Sequence, residues 1–518
     1  MFKRKAHGEV VQLPISTRRG PPVFSESTEF PLADKSRQFG YMFTDVTDDE
    51  RLPASAATVA ALKELGAVMK DAENGGADSN IPAAYTYFGQ FVDHDITLEV
   101  GGLSEAQLAA KDLAPVGLGA ITNGRNCFTE LDSVYFDDLP RAGEKVVVGP
   151  VEPLKSIAPG FARPTGKSDQ NDLPRQGPTS NKETDRAAMI GDPRNDENVI
   201  IAQLHTAFLK AHNALVDRHG SFEKAAREMT LRYQSIILDD YLKRICDPTV
   251  YGDVSQNGPK HWKPERNEAF MPAEFAFAAY RFGHSMVRTT YDYNLNFEAT
   301  DIRALFVFTA LSGQIGAEFN AGVDGKGFPT LPDNWIIEWE RFISLPGKPA
   351  STQMASAIDT QLTSFLFQLR DTLGELAGEN TDAQTKDVAP MLAKRNLLRG
   401  YAVSLPTGQA AARRLGFEPL QGETLLATLP ESVREKAEPF ADRTPLWFYI
   451  LAESGNPARG NLAGNCLGPV GSTIILETFH NLIRHADISI LDGTDHGDIR
   501  PTTLADMIML AETQDQAM

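Results

Sequence analysis

The sequence predicts a mainly α protein built as one large domain with long loops and little β structure. Apolar residues recur at helical spacing in many segments, alternation of period two is sparse, and no fixed repeat or low-complexity tract divides the 518 residues. At about 150 residues per domain the length would allow several domains. The continuous succession of helical patterns suits one domain better.

Residues 1–60 alternate short apolar groups with Pro, Ser and Asp and read as an extended N-terminal arm, leaving 61–518 as the main domain. Within 56–73, Val59, Leu62, Leu65 and Val68 fall at helical spacing, and a second helix is expected at 81–96. Residues 100–190, rich in Gly, Pro, Asp and Asn, predict a long loop region. After Asp192-Pro193, Ile200, Leu204, Phe208, His212 and Leu215 share one face of a long buried helix. Further helices are expected at 222–246, 272–288, 300–312, 353–376, 407–414, 421–427, 445–453 and 469–486.

The net charge of −19 repels phosphates and speaks against nucleic acid or an anionic membrane as partner. Cys127, Cys246 and Cys466 are too few and too scattered for a disulfide framework. The first residues, MFKRKAHGEVVQLP, lack the apolar stretch of a secretory signal, and no window approaches the roughly 18 apolar residues of a membrane span. The expectation is a soluble protein, cytoplasmic or secreted without a Sec signal.

Chemistry-bearing residues concentrate in four segments. In YFGQFVDHDITLE at 87–99, Gln90 and His94 are four apart and share a helical face, with Asp93 and Asp95 flanking the histidine. A capped, solvated helix end would explain the carboxylates, but not a glutamine and aromatic rings in the same segment. In GDPRNDEN at 191–198, Asp192 is a candidate N-cap with Pro193 at the first helical position, and Arg194 and Glu197 lie three apart. The positive end of a helix dipole welcomes Asp196 and Glu197 and leaves Arg194 unexplained.

In RFGH at 281–284, Arg281 and His284 sit three apart in an otherwise apolar helix, where a core histidine bonded to a carbonyl is the plain alternative. In RNLLRG at 395–400, Asn396 and Arg399 share a face. His205, His212 and His219 recur every seven residues. Two helical turns separate such neighbours by about 10 Å, too far to share an ion bonded at roughly 2 Å. The zincin, phosphate-loop, dinucleotide and hydrolase motifs are absent.

Taken in order, GQFVDHD, GDPRNDEN with its following HN, RFGH and RNLLRG resemble the haem peroxidase family that includes myeloperoxidase and lactoperoxidase, most closely its bacterial members. LWFYILAE and LGPVGSTIILETF near the C-terminus are also similar to those relatives. The resemblance implies a mainly α haem peroxidase fold, a bound haem b and a bound calcium ion. It also implies reduction of hydrogen peroxide and oxidation of a small donor (halide, thiocyanate or phenol) through a ferryl intermediate, in a role such as the response to oxidative stress.

Carried over residue by residue, the resemblance makes His94 the distal histidine, Gln90 its neighbour and Arg194 the distal arginine. His284 becomes the iron ligand and Asn396 the acceptor of its other ring N–H. Arg399 would pair with a haem propionate, with Arg281 beside the haem, and Asp93 and Glu197 fall where relatives form ester bonds to haem. Asp95, Asn126, the Phe128 carbonyl, Glu130 and Asp132 would hold calcium. Relatives tend to have Thr at the Asn126 position and Asp at the Glu130 position, although oxygen donors at alternate positions still suit a hard cation.

Two alternatives share the fold. A fatty-acid dioxygenase needs a radical-forming tyrosine three residues before the iron ligand. That position is Arg281, while Tyr280 beside it would point about 100° away on a helix. A catalytically silent haem-binding or adhesion protein would have no physical reason to keep Gln90, His94 and Arg194 together.

Overall fold

The computed structural model describes residues 35–71, 76–119, 121–154, 162–181, 184–309, 315, 327–349, 352–369 and 382–516. Residues 1–34 of the expected arm lie outside them. Helices packed around one contiguous apolar core dominate the described residues, and their strands form two-stranded ladders only. No helix among them is long and apolar enough to cross a membrane.

Helix α1 (Ala56–Val68) starts at Ser55, whose hydroxyl accepts from the Thr58 N–H, and buries Val59, Leu62 and Leu65. It packs against a later helix that carries Lys394, and Gly66 permits the approach. A Cβ at Gly66 would lie 2.9 Å from Lys394 backbone atoms. Helix α2 (Ala84–Ile96) is sheathed on nearly every side, so its polar residues can be kept only by finding partners.

Helix α3 (Val199–His219) is the long buried helix anticipated after Pro193, capped by Asn198 and closed by Gly220 in the left-handed region at φ 65°. Asp192 and Pro193 instead open a separate 3-10 turn, Pro193–Asp196. Arg194 therefore precedes the dipole of α3 rather than opposing it. Helix α4 (Phe222–Ser235) runs into a π-helical stretch, Ile236–Tyr241, that redirects Asp240 and Tyr241. Helix α5 (Leu392–Ala402) carries Asn396 and Arg399, and α6 (Leu446–Ser454) and α7 (Pro469–His485) complete the core.

Three expectations change. The helix expected at 272–288 divides into Ala273–Ala276 and a 3-10 turn, Ala279–His284. At the break the Arg281 side chain takes the Ala276 carbonyl at 2.9 Å, the acceptor an uninterrupted helix would give to residue 280. The helix expected at 353–376 contains a strand, Met354–Ser356, paired antiparallel with Asp78–Pro82, and a 3-10 turn, Ser364–Phe367. Pairing across the chain overrides local pattern there; residues 370–376 lie outside the described residues. A final helix, α8 (Leu504–Gln516), was not anticipated and packs along α3, where Asp515 accepts from the Lys210 ammonium at 2.6 Å.

Within 35–60, Phe39–Gly40 pairs parallel with Met271–Pro272, and the Glu274 carboxylate accepts from the Met42 and Phe43 N–H groups at 2.8 and 3.2 Å. These bonds tie that stretch to the chain just ahead of the 281–284 turn.

Candidate active site

A cavity opens between α2, the Pro193–Asp196 turn with its following residues, the Ala279–His284 turn and α5. Its lining includes Gln90, Asp93, Arg194 and Glu197 together with His284, Asn396, Arg281, Arg395 and Arg399. Tyr85, Tyr241, Leu366 and Leu392 supply apolar surface. All four segments singled out in the sequence therefore meet.

His94 is completely buried but lies outside the wall itself. Its Nδ1 is 2.8 Å from Asn195 Oδ1, which can only accept, so Nδ1 bears the proton and the basic lone pair is on Nε2. Asn195 Nδ2 in turn donates to His205 Nδ1 at 3.0 Å. Burial foremost, reinforced by the Arg194 charge, lowers the His94 pKa to about 3, so the ring is neutral at physiological pH.

Arg194 is held from several directions. Its Nε and Nη2 donate to the two Asp192 oxygens at 3.0 and 2.8 Å, and Nη2 also reaches the carbonyls of Thr97 and His94 at 2.6 and 3.1 Å. Arg125 pairs with the same Asp192, so two cations share one buried carboxylate, whose pKa is depressed. Gln90 donates to the Glu197 carboxylate, and Thr97 donates to Asp93 at 2.9 Å. Both carboxylates border the cavity.

Elsewhere in the lining, Arg281 Nη1 donates to Asn396 Oδ1 at 2.8 Å, and Asn396 Nδ2 lies 2.8 Å from His284 Nδ1. Because arginine can only donate, it claims the amide oxygen and turns the amide NH₂ toward the histidine. This reverses the expected direction, in which Asn396 accepts from His284. Burial first, then Arg281, lowers the His284 pKa to about 3.

The chemistry of this lining fits a haem. His284, neutral, borders the cavity beside a group of arginines, of which Arg395 pairs with Glu105 and Arg399 with Glu99. The Nη2 of Arg399 is buried without a hydrogen-bond acceptor, a vacancy that a carboxylate side chain of the cofactor would fill. The free space, about 190 Å³, is below the roughly 300–1,000 Å³ of sites for drug-sized ligands, so side chains must part to admit a macrocycle.

The expected calcium set does not fit as arranged. Asp95 accepts from the Leu131 and Ser133 N–H groups at 3.1 and 3.0 Å and from the Tyr233 hydroxyl at 3.1 Å. Asn126 and the Asp487 N–H both donate to Glu130, and the Phe128 carbonyl accepts from the Glu130 N–H at 3.0 Å. In this arrangement those oxygens already accept hydrogen bonds from N–H and O–H groups. Asp132 is buried nearby, and among the described residues no His, Cys, Asp and Glu group forms a metal cluster. The expected result of chelation with EGTA is an unchanged thermal unfolding midpoint by circular dichroism; a downward shift of several degrees would contradict the hydrogen-bonded arrangement.

Sequence reasoning missed Asn195, Glu99, Glu105 and Arg395. Arg395 stands four residues before Arg399, a spacing that itself announces a shared helical face. No local signal marks Asn195, because its partners His94 and His205 come from two different helices.

Residues 152–310 match a family model described as animal haem peroxidase. The chain is 23% identical over 385 residues to peroxinectin A of Dictyostelium discoideum, covering 70% of this chain and 63% of that protein. It is 22% identical over 331 residues to heme peroxidase 2 of Caenorhabditis elegans, covering 59% of this chain and 41% of that one. The chain thus spans less than two thirds of the length of either relative. In fold it is similar to peroxidase A of Dictyostelium discoideum, with a TM-score of 0.57 at 17% identity over 98% of this chain and 94% of that one. A fatty acid alpha-dioxygenase variant of Oryza sativa with palmitic acid gives a TM-score of 0.51 at 13% identity, over 99% and 86%. The matched segment contains Arg194, Glu197 and His284, the ordered motifs converge on one cavity, and over that segment the chain is similar to the animal haem peroxidase family.

Proposed function

We propose that the protein is a haem-dependent peroxidase that reduces hydrogen peroxide and oxidises a small donor such as a halide, thiocyanate or a phenol. The observation that supports this reading is that His284 and Arg194 line one cavity together. His284 would hold the iron through Nε2 once the Asn396 amide turns its oxygen to an Nδ1–H, Arg399 and Arg281 the propionates, and Asp93 and Glu197 could esterify the ring methyls. A bound haem supplies the redox-active iron.

The chain's own residues handle the proton and the charge. His94, neutral and oriented by Asn195, can take a proton at Nε2 from the near oxygen of peroxide and return it to the far one. Arg194, fixed by Asp192, stabilises the negative charge on the departing oxygen. Gln90 and Glu197 bond to each other in the wall, while His94 itself lies outside it. The test is peroxide-dependent oxidation of a phenolic dye by the purified, haem-loaded chain. Absence of both turnover and a Soret band would defeat the reading.

Two outcomes follow for the cofactor. Haem is expected to stay with the polypeptide when peroxide-treated protein is denatured in acidic organic solvent. The Asp93→Asn, Glu197→Gln double variant should release it, as read by mass spectrometry; quantitative release from the wild type would rule out the esters. Asn396→Asp is expected to lower the Fe(III)/Fe(II) potential, because its two oxygens can accept from Arg281 and from the His284 ring N–H together. A redox titration showing an equal or higher potential contradicts this role.

One observation favours the dioxygenase reading. Tyr280 borders the cavity, since the 279–284 segment is a 3-10 turn and not the regular helix that would carry it away. Arg281 still occupies the place of the required tyrosine. Rapid oxygen uptake on addition of a polyunsaturated fatty acid, without added peroxide, would reverse the preference.

A further inference from the structure

Behind Asn396 lies a second cavity of about 730 Å³, lined by segments from both ends of the chain. Asn396 is the one residue common to the walls of the two cavities. The second wall contains two guanidinium groups, Arg51 and Arg443, neither of which forms an ion pair with the described residues. Arg443 spends Nη2 on the Asp48 and Arg51 carbonyls, and Arg51 lies 5.7 Å from the Tyr41 ring centre. The Nε atoms of both are buried with no acceptor. Asp48 and Asp49 are exposed at the rim, where water screens them.

Sequestered guanidinium donors without acceptors are costly, and their forked geometry suits a carboxylate. Leu397, Leu446 and the indole of Trp447 supply apolar surface beside the two guanidinium groups, which suits a carboxylate carried on a flat apolar body. We propose that this cavity binds a small aromatic carboxylate, held at Arg51 and Arg443 with its ring against Trp447. The bound molecule adjoins the groups behind His284. Trp447 Nε1 donates to the Arg281 carbonyl at 3.2 Å, and Arg281 orients Asn396. Occupation is therefore felt at the iron ligand, a consequence that rests on the peroxidase reading, whereas binding itself does not.

Isothermal titration of the full chain as purified, with benzoate, octanoate and inorganic phosphate as separate probes, tests the site. Benzoate is expected to bind saturably, more tightly than octanoate, with phosphate inert. Arg443→Gln and Ala54→Trp, the second filling the exposed part of the wall, should each weaken benzoate by about tenfold or more. If Arg443→Gln fails to fold, Ala54→Trp decides. No benzoate binding, binding of phosphate alone, octanoate binding as tightly as benzoate, or affinity unchanged in the folded variants would each overturn the proposal. In haem-loaded protein, saturating benzoate is expected to shift the Soret band. Binding without that shift would leave the site standing and overturn the coupling, and failure of peroxidase turnover would bear on neither titration.

Discussion

Replacing His94 with Ala is expected to slow the reaction with peroxide by a factor on the order of 10²–10⁴, with haem content unchanged. The ring is buried and neutral, its proton fixed on Nδ1 by Asn195, and its role is to move a proton rather than to hold the cofactor. Arg194→Gln should cost a comparable factor, on the order of 10²–10³, by removing the charge that meets the developing anion. The fold should tolerate that loss, because Arg125 remains paired with Asp192. Stopped-flow absorption after mixing with peroxide reads both rates. The pH dependence gives an independent check. A histidine whose pKa is lowered to about 3 remains a base through the mildly acidic range, so no loss of rate is expected near pH 6.5, where an exposed histidine would be protonated. A rate unchanged in His94→Ala, or one falling away through pH 6.5, would remove this residue from the proton path.

The larger effect on the cofactor is expected at His284. Replacement by Ala should abolish haem retention after gel filtration, read as the ratio of Soret to protein absorbance, while the far-ultraviolet circular dichroism stays that of the wild type. Imidazole added in excess should restore part of the absorbance by occupying the space left by the ring. The same treatment of His205→Gln provides the contrast. His205 is as deeply buried and bonds Asn195, yet it does not border the cavity, so this variant should keep its haem and lose peroxide rate. Full haem retention in His284→Ala would move the iron ligand elsewhere.

The sequence by itself determined the helical class, the run of α3 after Pro193 and the candidate residues Gln90, Asp93, Arg194, Glu197, His284, Asn396 and Arg399. Helical periodicity and cap chemistry are local properties, and the ordered motifs were specific enough to suggest the family without coordinates. Tertiary structure decided what those residues face. The 281–284 segment is a 3-10 turn because a side chain competes for a backbone carbonyl, and this brings Tyr280 to the cavity. Asn396 presents its NH₂ to His284 because Arg281, joined to it across 115 positions of sequence, can only donate. Asp95, expected to hold a cation, is instead surrounded by N–H and O–H groups from the 131–133 turn and Tyr233. In each case the deciding partner is remote in sequence or competes with the regular backbone pattern. Periodicity and spacing report which face a residue occupies, whereas the direction of a hydrogen bond depends on every donor that the completed fold brings within reach.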